Sequence, residues 1–240
     1  MFRISQKPDR PRVTFKPPQL TGETIPEGIR DLFKKSEIDL SLSLLQKITR
    51  KKGCCYGTCL TLSETIRENP GGSIQEWYEA FSPHKASVYQ VLENLRGNLD
   101  KQRSQGDERA EAALMRVIAQ MPKISRSLPK FRGNLIETHF FPLFDDSDRF
   151  TCIVRCWTRK KSHCFLIHSS EKHHLFYDNA RKRGLYLCET ANSLKQRFLK
   201  HLKTAHPAFL KRNSCWLIEL PSPPQRNSQE NTKWIRNNRL

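Results

Sequence analysis

The chain has 240 residues and a formal charge of +18, from 42 Lys and Arg against 24 Asp and Glu. With 37% hydrophobic residues it can bury a core without disulfide staples, so one domain with loose ends is expected. No apolar run approaches the 18 or so residues a membrane-spanning helix needs. The opening Met1-Phe2-Arg3-Ile4-Ser5 has no apolar core of the kind a classical signal peptide carries.

Eight cysteines are present, and Cys54, Cys55 and Cys59 crowd one short stretch. Cys152, Cys156, Cys164, Cys188 and Cys215 lie in apolar, strand-like segments and read as small buried hydrophobes. This is not the even scatter of an extracellular disulfide framework, so a reducing compartment is expected. The charge implies attraction to a polyanion. An acidic protein surface or an anionic membrane face is one reading, and solubility or basic composition without a specific partner is the other. Nucleic acid is disfavoured, because neither zinc-finger spacing nor a glycine-rich phosphate loop accompanies the basic residues.

Residues 1–36 hold Pro8, Pro11, Pro17, Pro18 and Pro26 among basic residues and read as an extended arm. Residues 37–48 mix strand-like and helix-like spacing, and both assignments stay open. From Thr58, the positions Cys59, Leu62 and Ile66 form one apolar helical face that Gly71-Gly72 ends. Ser73 followed by Glu76 has capping-box spacing and predicts a helix to Phe81. Further helices are predicted over 85–95 and 107–121, the latter stopped by Pro122, with a polar loop over 96–106 between them.

Strand character begins at Leu135. The predicted strands are 135–141, 150–157, 163–168, 174–177, 184–188 and 215–220, short and rich in β-branched and aromatic residues. A helix over 191–202 interrupts them, with Leu194, Phe198, Leu199 and Leu202 facing inward. A helical first half followed by a mainly antiparallel sheet is an α+β plan over 37–220, with a polar tail over 221–240.

The stretch with the strongest chemical signal is Gly53-Cys54-Cys55-Tyr56-Gly57-Thr58-Cys59, a glycine-flanked loop that feeds a helix. A helix N-terminus stabilises negative charge and lowers a thiol pKa, so a cysteine there can become a nucleophile. Nucleophilic cysteines need an imidazole and a group that orients it. His163 opens one predicted strand and Asp178 closes the next, fifteen residues on, which suits a hairpin that brings the two together. His168 is the fallback imidazole, and His139 is a strand residue with no evident partner. Zinc is the rival chemistry, since Cys54, Cys55 and Cys59 could join Cys152, Cys156 or His163. No compact CxxC pair exists, however, and structural zinc sites normally use two close pairs.

Three groups of residues resemble the YopT-like cysteine peptidases, papain-fold effectors that bacteria inject into host cells. Gly53-Cys54-Cys55-Tyr56-Gly57 is similar to that family's nucleophile loop. His163 with Phe176-Tyr177-Asp178-Asn179 and Gly184-Leu185-Tyr186 is similar to its histidine strand and aromatic turn. The helix Leu194 to Leu202 followed by Cys215-Trp216-Leu217-Ile218-Glu219-Leu220 resembles its last helix and strand. Ala180 stands where the family's turn has proline.

The resemblance implies a papain-like fold and a cysteine endopeptidase with Cys55 as nucleophile, His163 as acid and base, and Asp178 as orienter. It implies no cofactor and no metal. It also implies a side-chain amide ahead of the cysteine for the oxyanion. Thr49-Arg50-Lys51-Lys52 fill the nearest positions, and Gln46 is the candidate if the loop bulges. A host protein substrate and secretion from a bacterium into host cytoplasm follow from the same resemblance. A glutamine deamidase or transglutaminase on this scaffold, and a non-catalytic basic binding module, are the alternatives.

Overall fold

The computed structural model describes residues 55–106, 108–142, 144, 150–178 and 184–221. The predicted arm over 1–36, Cys54, Gln46 and the tail from 222 onward lie outside the described residues. Among the described residues four helices come first: α1 (Cys55–Glu68), α2 (Ile74–Ala80), α3 (Pro83–Arg103) and α4 (Glu108–Ala119). Strands β1 (Ile124–Ser127) and β2 (Phe131–Arg132) follow. A 3-10 turn (Gly133–Leu135) then runs into the one-turn helix α5 (Ile136–His139). The rest is β3 (Phe150–Trp157), β4 (Ser162–Ser169), β5 (His174–Tyr177), β6 (Leu185–Cys188), α6 (Ala191–Ala205), a 3-10 turn (Pro207–Leu210) and β7 (Cys215–Pro221).

The strands form one sheet in the order β1-β7-β3-β4-β5-β6, with β2 also on β7, and every pair is antiparallel. Both faces are covered. Ile153, Cys164, Leu166, Leu175 and Tyr177 pack against Leu60, Ile66, Val91, Leu95 and Leu114 of the N-terminal helices. Val154, Phe165, Ile167, Phe176 and Trp216 pack against Phe140, Phe198, Leu202 and Phe209. Burial on both sides explains why β4 reads as a continuous apolar run rather than an alternating one. The result is an α+β protein, with N-terminal helices packed on a mainly antiparallel sheet as in a papain-like arrangement.

Local chemistry sets most element ends. Ser73 and Glu76 cap α2 reciprocally, as their spacing predicts. Thr190 and Ser193 cap α6 the same way. Ser82 caps α3, and Pro83 takes the first helical position, where its missing N–H costs nothing.

Three expectations are corrected. Strand character begins at Ile124, in β1 and β2, and not at Leu135. The segment 96–106 is not a loop between helices, since α3 runs on to Arg103. Leu99 continues the stripe of Leu92 and Leu95 into the core, and Asp100 pairs with Arg103 at 2.7 Å. Nor is 135–141 a strand. Ile136 and Phe140 bury at helical spacing, and the Phe140 N–H closes a turn on the Ile136 carbonyl at 3.0 Å. His139 is accordingly an exposed helical residue beside the Phe131 ring.

Gly57 has a different job from the one its sequence position suggests. It lies inside α1 and makes no turn. A Cβ there would sit 2.0 Å from the Ala86 carbonyl oxygen of α3, so the missing side chain is what lets the two helices cross so closely.

Candidate active site at the start of helix α1

Cys55 is the first residue of α1 and is half-buried. Gln90 of α3 fixes the helix start, because its Oε1 accepts the N–H groups of Tyr56 and Gly57, both at 3.1 Å. Two of the donors that a helix start leaves unpaired are thus satisfied by a side chain from a neighbouring element. Cys164 of β4 and His163 are the neighbours that act on the Cys55 thiol.

His163 is the second residue of β4, and its Nε2 lies 2.7 Å from Asp178 Oδ1. That leaves Nδ1 as the ring nitrogen for the thiol. Asp178 directly follows β5, and its N–H bonds the Gly184 carbonyl at 2.7 Å to close the turn toward β6. The structure therefore pairs His163 with Asp178, with Cys55 near enough to His163 for the imidazole to act on its thiol. Contact alone does not make the thiol a nucleophile.

Two further imidazoles complete the cluster. His201 of α6 and His206 just beyond it place their Nε2 atoms 2.7 and 2.8 Å from Asp178 Oδ2. The side chain of Asp178 has no exposed surface. A buried carboxylate needs such donors, since an unpaired one would cost several kcal/mol. The His206 ring also stacks on His163 with centroids 4.9 Å apart, and Phe165 and Phe209 close the other sides of His163. Nothing in the local spacing of His201 or His206 points to Asp178, and the sequence reading missed both.

The electrostatics follow from these contacts. Cys164 and His163 hold the Cys55 thiol well below the usual cysteine range, against the opposing effect of burial. Burial alone would lower His163, but Asp178 and Cys55 outweigh this and raise it to about 9. Burial would raise Asp178, and its three imidazole donors hold it far below the ordinary carboxylate range instead. Cys164 is pushed up by Cys55 and by burial, so it is the protonated thiol of the pair. This is more than the inert packing expected of it.

The other candidates fall elsewhere. His168 sits at the far end of β4 beside Trp77, with Nδ1 2.9 Å from Thr151 Oγ1. Burial lowers it to about 4, so it is a neutral structural residue. His173 bonds the Gly72 carbonyl at 3.0 Å in the turn before β5. Cys59, Cys152 and Cys156 are buried free thiols raised by desolvation. For a metal, the donor atoms of His163, Asp178 and His206 lie within 4.8 Å of one another. At the observed 2.7 and 2.8 Å N···O separations, protons occupy the space between them.

No family model and no curated protein matches the chain. Among solved structures it is similar to the Pseudomonas avirulence protein AvrPphB. The TM-score is 0.44 at 9% sequence identity, over 73% of this chain and 94% of that one. A likeness of that degree carries no weight for the chemistry, which stands on the residues themselves.

Proposed function

We propose that the protein is a cysteine peptidase of papain-like architecture, with Cys55 as nucleophile, His163 as proton shuttle and Asp178 as orienter. The observation that supports this is the paired arrangement at the helix start. A thiol of lowered pKa meets an imidazole of raised pKa, whose other nitrogen is held by a buried carboxylate. The 14-residue helix α1 directs its positive end at the sulfur.

The Cys55 thiolate attacks a carbonyl carbon, and the oxyanion forms beside the helix start. With the Tyr56 and Gly57 N–H groups held by Gln90, the Cys55 N–H is the donor adjacent to its own sulfur. His163, as imidazolium, gives its Nδ1 proton to the leaving amine. The neutral ring then takes a proton from water, whose oxygen attacks the thioester and releases the acid. Asp178 keeps the Nε2 proton in place throughout and stabilises the imidazolium.

Iodoacetamide labelling across pH, with site-resolved mass spectrometry, tests the ion pair. Selective labelling of Cys55 below pH 7, lost in His163→Ala, is expected. Labelling of Cys55 no faster than that of Cys215 would remove the reading. A glutamine deamidase uses the same three residues, and release of ammonia without chain cleavage separates it from a peptidase. That the protein acts on a host protein as a secreted bacterial effector rests on the motif resemblance alone, and recovery of cleaved host proteins after its expression in host cells tests that part.

A further inference from the structure

The sheet edge that carries His163 is strongly and one-sidedly charged. In register, Phe131, Trp216, Cys156 and His163 form one row across β2, β7, β3 and β4. Arg132, Cys215, Trp157 and Ser162 form the next row out. The connections that emerge at this edge are 128–135, 157–163 and 206–216. They contain Lys130 and Arg132, Arg159 to Lys161, and Lys211 and Arg212, without one Asp or Glu. All seven basic residues are exposed, and none pairs with a carboxylate among the described residues. Like charges held together without counterions raise the local potential and attract an anionic chain.

Part of this edge is shaped. Arg132, Asn134, Leu135, Arg212 and Asn213 line an open groove of about 630 Å³. Two guanidinium groups suit bidentate pairing with carboxylates, and two side-chain amides suit the donors and acceptors of a peptide backbone. Leu135, 37% exposed, offers an apolar contact between them. A concave, amide-lined groove fits an extended polypeptide better than a flat lipid surface. Nucleic acid would stack on open aromatic faces, but the Trp157 ring at this edge is covered by Lys130, whose Nζ lies 5.8 Å from its centroid.

The groove also lies a short span from His163 along the same sheet edge. Arg132 is three strands from His163, roughly 14 Å at about 4.8 Å per strand. Extended chain covers that span in about four residues at roughly 3.4 Å each. Phe209, whose ring stacks on His163, also packs its carbonyl against Gly133, the residue between the groove-lining Arg132 and Asn134.

We infer that the Arg132–Arg212 groove docks acidic side chains of the polypeptide substrate, about four residues from the bond presented to Cys55. This deepens the peptidase reading and rests on it. The test measures binding without turnover. A fluorescein-labelled peptide of ten residues, rich in Glu, Gly and Ser, is titrated with the full chain at low salt and followed by anisotropy. R132E/R212E should weaken binding at least tenfold, while K101E/K172E, with the same charge change on other exposed positions, should change it less than threefold. The unlabelled peptide should also slow iodoacetamide capture of Cys55.

Equal weakening by both double variants, or no binding by the wild type, would overturn the inference. Binding without protection of Cys55 would overturn it too. So would R132E/R212E-sensitive sedimentation with phosphatidylserine vesicles when the peptide does not bind, because the edge would then be a membrane surface. A Cys55 thiol inert to iodoacetamide in the absence of peptide would instead defeat the peptidase reading, and the anisotropy would still decide the docking.

Discussion

His206 and Asp178 are 28 residues apart in sequence, yet the imidazole Nε2 lies 2.8 Å from the carboxylate Oδ2 while its ring stacks on His163. The carboxylate is thus held from one side by His206 and His201, and from the other by the imidazole it orients. Removing a donor leaves part of a buried negative charge unmatched, which typically costs about 1–3 kcal/mol. His206→Ala and His201→Ala should each lose stability of that order in urea denaturation. With Asp178 less well aligned, the His163 titration followed by NMR should move down from about 9 toward the ordinary range. His201→Gln retains a side-chain N–H donor and should recover part of both. A His163 titration unchanged in both alanine variants would mean that these residues only fill space.

The pH dependence has a definite sign. The His163 pKa is raised on folding, so its contribution to stability is full below about 6.5, the free imidazole value. It is lost as pH rises through about 9. The Cys55 pKa is depressed, so its contribution is full above the free thiol range and is lost as pH falls through the lowered folded value. The thiolate–imidazolium pair is therefore populated in the window between. Peptide hydrolysis should fall on an alkaline limb near pH 9, where the imidazolium that protonates the leaving amine disappears. Alkylation of Cys55 needs only the thiolate and should not fall there.

Asp178→Asn should be the most damaging change in the cluster. Three Nε2 donors would then face a side chain that accepts at one atom and donates at the other. Breaking a buried charged network by one partner typically costs about 3–5 kcal/mol. Thermal unfolding should show a loss of this order, and Cys55 labelling below pH 7 should drop at least tenfold.

Gly57→Ala tests the packing that places the nucleophile helix. The added methyl would meet the Ala86 carbonyl oxygen at 2.0 Å and the Gln90 backbone nitrogen at 2.8 Å, and backbone atoms cannot swing away. Overpacking of this kind costs about 1–3 kcal/mol. Because Gln90 also caps the first turn of α1, the displacement should slow Cys55 alkylation as well as lower the unfolding midpoint.

Arg155 offers a test away from the cluster. Its guanidinium joins Glu93 of α3 to Glu219 of β7, the latter at 3.2 Å, and lies 4.7 Å over the Tyr56 ring. Arg155→Ala leaves two carboxylates with little exposure and without their shared cation, and should destabilise the fold by about 3 kcal/mol in denaturant melts. Arg155→Lys, a point charge without the planar fork, should restore less than half of it.

Patterns with a local cause were legible in the sequence. Capping chemistry marked α2, period-two and continuous apolar runs marked β3 to β7, and the stripe of Leu194, Phe198 and Leu202 marked α6. Together they determined the α+β plan. The Cys55, His163 and Asp178 candidates were legible for a similar reason, since a helix start and the ends of two adjoining strands are positions that spacing can indicate. The continuation of α3 through 96–103 was not, because one leucine per turn among polar residues reads locally as a loop. Only the tertiary structure decided what surrounds the cluster. His201 and His206 reach Asp178 from 23 and 28 residues away, Gln90 reaches the start of α1 from more than 30, and Cys164 meets Cys55 from another layer. A lone polar side chain that meets its partner across the fold leaves no period or spacing of its own. Its role comes into existence only when sheet and helices pack and deprive both groups of water.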